Sequence, residues 1–150
     1  MNTALARFTA ARLSRWRSRF LPSRRPHLQL GTRGEKLAAR HLRRHGFKIL
    51  YRNFRGRQGG EIDLVCRDRD ILVVVEVKTR TGEDFGRPLE AVHAGQQRRI
   101  SLGALAWLRM LGNPDILFRF DVVEVLVAEG KPPRLELVRN AFPLAEPYLY

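Results

Sequence analysis

The 150-residue sequence contains one cysteine, Cys66, and no acidic residue before Glu35. A single cysteine excludes an internal disulfide and a cysteine-based zinc site, and because Cys66 lies in an apolar stretch we expect a buried structural thiol. No run of about 18 apolar residues occurs, so no integral membrane segment is predicted, and no signal-peptide pattern is visible. The sequence therefore favours a cytoplasmic protein.

Acidic residues are also scarce overall, since 15 Asp and Glu against 28 Lys and Arg give a formal net charge of +13. The imbalance is concentrated in residues 1 to 34, which contain eight Arg and no Asp or Glu. A positive potential of this size attracts polyanions, of which nucleic acid is the commonest and an acidic membrane surface is the alternative. We expect nucleic acid, and DNA in particular, as the partner.

The chain divides into a tail and one domain. Residues 1 to 28 combine Arg, Ser and Pro with a loose apolar face, which predicts a basic, disordered tail. Their composition also resembles a transit peptide or a membrane-surface helix, so a targeting role stays open. Residues 29 to 150 contain the periodic apolar segments, and their length suits a single domain with one core.

The apolar periodicity of the domain predicts an α/β fold. Thr32 and Glu35 fit a capping box that would begin a first helix, and Gly46 would end it. A second helix is predicted between Pro88 and the "GNP" at 112 to 114. Strands are predicted at residues 47–54, 61–66, 71–80, 116–127 and, more weakly, 134–142. The order helix, three strands, helix, strand predicts a central mixed sheet flanked by helices.

Two neighbouring predicted strands carry charges among core residues: Asp63, Glu76 and Lys78. A hairpin that pairs Cys66 with Ile71 places all three on one sheet face, with Asp63 diagonal to Glu76 at about 7 to 8 Å. One interpretation is a solvated face with cross-strand salt bridges. The other is a buried site, because helices must cover so apolar a sheet and buried charges need partners.

Two carboxylates at this separation suit a hard divalent cation, Mg²⁺ or Mn²⁺, which would lower the pKa of a bound water. Lys78 would orient or deprotonate that water, or stabilise the transition state electrostatically. Glu35 precedes Ala38, Ala39 and Leu42 at helical spacing, so it can face the sheet and join the acidic cluster, or it merely caps the helix.

The charged positions resemble a known pattern. Asp63, followed after twelve residues by "EVK" at 76 to 78, resembles the PD-(D/E)xK nuclease signature of restriction enzymes and Holliday-junction resolvases. The longer segments "GEKLAARHL", "GGEIDLV", "VVEVKTR" and "FRFDVVEV" are similar to the uncharacterised YraN-type family of bacterial proteins, UPF0102. The resemblance covers roughly residues 31 to 143.

The resemblance implies a restriction-endonuclease-like core in the order α-β-β-β-α-β and a set of site residues. It assigns Asp63, Glu76 and Glu35 as metal ligands and Lys78 as the catalytic lysine. Several nuclease branches carry a glutamine on the helix after the third strand, and Gln97 matches it.

Three further positions have narrower interpretations. Gln96 stands where many relatives have Lys, which departs from the family pattern. Arg80, at the edge of the charged face, is a candidate phosphate contact or a solvated strand-end residue. Asp121 is expected to pair with Arg119 or with a neighbouring strand.

The function that the resemblance implies is metal-dependent hydrolysis of DNA phosphodiester bonds by an endonuclease, on branched or single-stranded structures. A homodimer is expected by analogy with resolvases. The alternative is a non-catalytic nucleic-acid-binding module that keeps the nuclease-like fold, and a tail-anchored protein at the membrane surface is a third hypothesis.

Overall fold

Five strands and two helices make up the described part of the chain. The computed structural model describes residues 26–82, 84 and 92–150, with side chains from residue 29 onward. In chain order the elements are α1 (Pro26–Arg44), β1 (Lys48–Arg55), β2 (Glu61–Asp68), β3 (Ile71–Thr81), α2 (Ala94–Met110), β4 (Phe118–Val127) and β5 (Arg134–Phe142).

The strands form one mixed sheet in the order β1-β2-β3-β4-β5. Neighbouring strands are antiparallel except for β3 and β4, which are parallel. A parallel pair needs a crossover connection, and α2 lies in the chain between these two strands. The centre of the sheet is β3, whose Val-rich run is buried on both faces. The predicted α/β fold with a mixed sheet between helices is confirmed, and β5 is the weak last strand of the sequence.

Each face of the sheet is covered by one helix. From α1, Ala38, Ala39 and Leu42 are fully buried against one face. That cluster also contains Cys66, which is fully buried as predicted, and burial raises the pKa of its thiol to about 12. The other face packs on α2, whose Trp107 lies at the centre of the second cluster. Neither α1 nor α2 combines the length and the hydropathy needed to cross a membrane.

The first helix begins earlier than its capping pattern predicted. Helical structure is already present at Pro26, the first described residue, so Thr32 and Glu35 lie inside α1 and the predicted capping box is wrong. Of the predicted tail, residues 26 to 28 belong to α1 and residues 1 to 25 lie outside the described residues. Gly46, with φ of 85°, ends the helix as predicted.

The hairpin between β2 and β3 is tighter than predicted. Asp68 pairs with Ile71, so the connection has two residues, and the first of them, Arg69, has a left-handed φ of 54°. Cys66 consequently pairs with Val73, and the predicted pairing of Cys66 with Ile71 is wrong by two residues. A shift of two residues changes the partners but keeps every side chain on its predicted face.

Ion pairs hold the hairpin end of the sheet. Arg119 donates from Nε to Oδ1 of Asp121 at 2.9 Å and from its terminal nitrogen to Asp68 at 2.8 Å. The backbone N–H of Asn140 also donates to Asp121, and Arg139 donates to Asp68 at 2.6 Å. The predicted pairing of Asp121 with Arg119 is confirmed, and the network joins β2, β4 and β5.

The glycine-rich loop before β2 packs closely against α2. Gly60 has a φ of 83°, and a Cβ built on it would lie 2.3 Å from the backbone nitrogen of Gly103. Only two glycines allow the loop and the helix to approach this closely. The contact fixes the basic loop of residues 55 to 60 beside the first residues of β2.

Candidate active site

The carboxyl groups of Asp63 and Glu76 meet on neighbouring strands. The β2–β3 ladder ends at Leu64 opposite Val75, which directly follow Asp63 and precede Glu76 along their strands. The two carboxyl groups hydrogen-bond each other, and the backbone N–H of Val77 donates to Oδ2 of Asp63 at 2.8 Å. A diagonal contact between the two strands was predicted, and the structure brings the two carboxyl groups into direct contact.

Both acids have a raised pKa. That of Asp63 rises from an ordinary 3.8 to about 7, chiefly because of burial and next because of the negative charge of Glu76. The pKa of Glu76 is raised as well, again chiefly by burial, while Lys78 opposes that rise. The pair therefore holds a proton more readily than two exposed carboxyl groups would, and the hydrogen bond between the two carboxyl groups requires one.

Lys78 and Gln96 complete a ring of contacts around Glu76. The Nζ of Lys78 lies 3.1 Å from Oε1 of Glu76 and donates to Oε1 of Gln96 at 2.7 Å. The side-chain amide nitrogen of Gln96 donates to the same Oε1 of Glu76. Strand alternation places Lys78 beside Glu76, and the first turn of α2 carries Gln96 over both. The Glu76 side chain keeps 8% of its surface exposed and that of Lys78 keeps 23%, so the cluster is reachable from solvent.

The structure brings Gln96 into the cluster and leaves Gln97 out of it. The side chain of Gln97 donates to the backbone oxygen of Val92 at 2.9 Å, just before α2. The helical spacing that pointed to Gln97, three residues before Ile100, suits Gln96 equally, four residues before it. The same helical spacing could therefore have identified Gln96.

The side-chain alternation of β2 is interrupted at Asp63. Ile62 packs in the cluster under α2, whereas Leu64, two residues later, packs in the cluster under α1. The neighbouring residue of β1, Asn53, lies between the partners of Leu64 and Ile62 and has a left-handed φ of 53°.

Glu35 approaches the pair from the other helix. Its carboxylate accepts a hydrogen bond from Asn53 and interacts electrostatically with Asp63, and its pKa is raised mainly by burial. Among the described residues, no three His, Cys, Asp or Glu side chains are grouped closely enough to hold a metal ion. The structure thus joins Asp63 and Glu76 directly and places Glu35 at their margin, and metal binding by Glu35 stays a prediction.

Arginines lie on the elements that carry the site residues or lead into them. Arg98 and Arg99 follow Gln96 in the first turns of α2, Arg55 is the last residue of β1, and Arg57 lies in the loop that precedes β2. All four are exposed to solvent. A phosphate-bearing ligand would meet positive charge on its approach to the acidic pair.

Comparison with known sequences places the chain in a bacterial family. The model of "Uncharacterised protein family UPF0102" matches residues 34–125. A UPF0102 protein of Rhodococcus jostii is 49% identical over 116 residues, which cover 77% of this chain and 98% of the relative. UPF0102 proteins of Geobacter sulfurreducens and Symbiobacterium thermophilum are 50% and 46% identical, over 77% and 76% of this chain and over 90% and 96% of their own lengths. The chain belongs to the UPF0102 family.

Proposed function

We propose that this protein is a metal-dependent endonuclease that hydrolyses DNA phosphodiester bonds, with branched and single-stranded DNA as its preferred forms. The observation that supports the proposal best is the contact between Asp63, Glu76 and Lys78 on one face of the sheet. This is the arrangement of two carboxylates and a lysine that the nuclease signature requires, and it lies in a basic surface.

The donor set fits Mg²⁺ or Mn²⁺. Magnesium is commonly held by one or two carboxylates, with waters and substrate phosphate completing its shell, so Asp63 and Glu76 suffice without a third acid. Two buried carboxyl groups in contact, each with a raised pKa, mark a position where positive charge is favoured. When bound there, the ion would lower the pKa of a water and neutralise charge on the phosphate.

Lys78 acts as an electrostatic group in this proposal. Its Nζ donates to Gln96 and lies against the carboxylate of Glu76, contacts that suit a charged ammonium, and a charged ammonium has no lone pair to accept a proton from water. It would instead stabilise the negative charge that develops on the phosphate oxygens. Gln96 would hold that ammonium in place.

In this proposal DNA binds through the attraction between its phosphates and the basic residues of the protein. The net charge of +13 and the exposed arginines give sequence-independent affinity for the phosphate backbone, and residues 1 to 28 add to it. Nothing in this mode of binding reads base sequence, so the protein is expected to select DNA by shape.

Nuclease assays with purified full-length protein test the proposal. Linear, flapped and four-way DNA would be incubated with Mg²⁺ or Mn²⁺, and nicks would be read on denaturing gels. Glu76→Gln, Asp63→Asn and Lys78→Met are each expected to lower the rate at least a hundredfold, whereas Glu129→Gln, an exposed acid on the loop after β4, should leave it unchanged. Cleavage that survives all three site changes would refute the assignment.

A non-catalytic nucleic-acid-binding module is the second candidate. It is favoured by the absence of a three-acid group within residues 26–82, 84 and 92–150, and by the hydrogen bonds that already engage the Glu76 carboxylate. It predicts salt-dependent DNA binding that Asp63→Asn does not weaken, with no cleavage of any form in either metal.

A further inference from the structure

A second acid–base pair lies next to the candidate active site. In the parallel β3–β4 ladder, Lys78 is opposite Glu124. Alternation puts Arg80 on the same face of β3 as Lys78, about 6.6 Å further along the strand. The order along this face is therefore Glu76, Lys78 and then Arg80, with Glu124 alongside on β4.

Glu124 is buried without adequate partners. Its side chain is 1% exposed, and neither of its carboxylate oxygens has a hydrogen-bond partner within the described structure. The nearest cationic atom in that part of the chain is a terminal nitrogen of Arg80, 3.6 Å from Oε1 of Glu124. That separation gives an ion pair but is too long for a hydrogen bond.

The ion pair with Glu124 leaves the N–H donors of the Arg80 guanidinium exposed to solvent. The Arg80 side chain keeps 41% of its surface exposed. A guanidinium has five N–H donors in a planar fork, a shape that matches two phosphate oxygens. Since the ion pair with Glu124 consumes no hydrogen bond, the fork remains available to a ligand that arrives from solvent.

We propose that Arg80 binds a backbone phosphate adjacent to the one at Lys78, and that Glu124 is the positioning residue that holds the guanidinium toward this face. This inference rests on the proposed function, because it takes nucleic acid as the ligand of the face. It goes further by assigning a second phosphate position and a role to a buried carboxylate outside the nuclease signature.

Salt-dependent binding measures such a contact directly. Full-length protein would be titrated into short fluorescein-labelled DNA, single-stranded and duplex, across a sodium chloride series with EDTA present so that nothing is cut. Loss of one phosphate contact lowers the slope of log affinity against log salt by about 0.7 for a single strand and about 0.9 for a duplex. Arg80→Gln is expected to show this reduction and to bind roughly threefold to tenfold more weakly.

Arg139→Gln is the matched control. Arg139 is also an exposed arginine paired with a carboxylate, that of Asp68, but it lies at the hairpin end of the sheet. Both variants lose one positive charge, so any general effect of net charge is common to them. A slope that falls equally in both variants would overturn the inference.

Glu124→Gln distinguishes the positioning of Arg80 by Glu124 from the electrostatic effect of the Glu124 charge on DNA. Removing a negative charge beside a polyanion should tighten binding if only electrostatics counted. Positioning predicts the opposite, a loss of roughly twofold to fivefold, and predicts that the same change made in the Arg80→Gln background causes no loss. Thermal melts of each variant would exclude unfolding as the cause.

The outcomes also separate this inference from the proposed function. Wild-type binding and cleavage with an unchanged slope in Arg80→Gln would overturn the second phosphate position and leave the nuclease proposal intact. Wild-type protein that binds neither DNA form would overturn both. Tighter binding by Glu124→Gln would remove the positioning role.

Discussion

The ammonium of Lys78 lies 2.7 Å from the side-chain oxygen of Gln96, a residue that the nuclease signature does not contain. The side-chain N–H of Gln96 donates to Glu76. Both ends of the Gln96 amide are therefore engaged, which fixes the orientation of the amide. Because Gln96 is neutral, it can link the two charged groups without adding a charge of its own. The relationship makes α2 part of the site.

Gln96→Ala is therefore expected to slow DNA cleavage by about tenfold to a hundredfold, since a hydrogen bond to a charged group is worth about 1.5 to 3 kcal/mol. The loss should fall on the single-turnover rate, with little change in DNA affinity. Gln97→Ala is the matched control, because Gln97 bonds only to the backbone of Val92 among its described contacts. Equal rates in the two variants would assign no role to Gln96.

The raised pKa of Asp63 predicts an unusual pH dependence of stability. Between pH 4 and pH 7 the unfolded protein ionises Asp63 while the folded protein keeps it protonated, because its folded pKa is about 7. This group's contribution to stability is thus fully present below pH 4 and is lost as pH rises through 7. Asp63→Asn cannot ionise and its amide can still donate to Glu76.

In metal-free buffer the melting temperature of Asp63→Asn, relative to wild type, should rise by several degrees between pH 5 and pH 8. Calorimetry or circular dichroism at intervals of pH would measure the difference. A constant difference across this range would mean that Asp63 titrates at its ordinary pKa.

Divalent cations should restore the stability that the folded protein loses when Asp63 ionises. Mg²⁺ or Mn²⁺ at a hundred times its dissociation constant would stabilise the folded protein by about 2.7 kcal/mol, because the unfolded chain has no formed site. The melting temperature of wild-type protein should therefore rise with metal concentration, and Glu76→Gln should not respond. Glu129→Gln serves as the control that keeps the response. A wild-type melting temperature indifferent to both metals would contradict the metal assignment.

Sequence alone predicted which charged residues share a face, because strand alternation has a period of two and a register error of two leaves it intact. Asp63, Glu76 and Lys78 were placed together for that reason. Their direct contact depended on the two-residue turn that begins at Arg69. Arginine has no preference for the left-handed φ found there, so residue type did not predict this turn. The partners were consequently misassigned, while Glu76 and Lys78 lie together beneath Gln96 as their alternation predicted.

Two other features depended on tertiary context. Glu35 lies in the interior of α1, which already includes Pro26, because a capping pattern is a local signal that a continuing helix overrides. The choice between Gln96 and Gln97 depends on how α2 is rotated over the sheet. Neighbouring residues on a helix differ by about 100° in direction, so a small error in that rotation selects the wrong one.

The ion-pair network at the hairpin end should affect stability and leave catalysis alone. Asp121 is fully buried and accepts from both Arg119 and the backbone of Asn140. Asp121→Ala would leave a partly buried guanidinium without its main partner, at a cost of about 3 to 5 kcal/mol in the free energy of unfolding. Urea denaturation would measure the loss. Cleavage per folded molecule should match wild type, and a specific loss of activity would place this network in the site.

The glycine contact between loop and helix gives a prediction with an internal control. Gly59 and Gly60 both have a left-handed φ, of 91° and 83°, so alanine strains the backbone at either position. A Cβ at Gly59 would meet nothing within 4 Å, whereas one at Gly60 would lie 2.3 Å from the backbone nitrogen of Gly103. Gly59→Ala should cost about 1 kcal/mol and Gly60→Ala at least about 2 kcal/mol more, because backbone must move.

Since Gly60 directly precedes β2, its displacement should also disturb the strand that carries Asp63. Gly60→Ala is therefore expected to lower cleavage at temperatures where it remains folded, and Gly59→Ala is not. Chemical denaturation and nicking rates on the same preparations would test both parts. Equal stability of the two variants would mean that the loop moves away from α2 at little cost. The contact between Gly60 and Gly103 would then not position the start of β2.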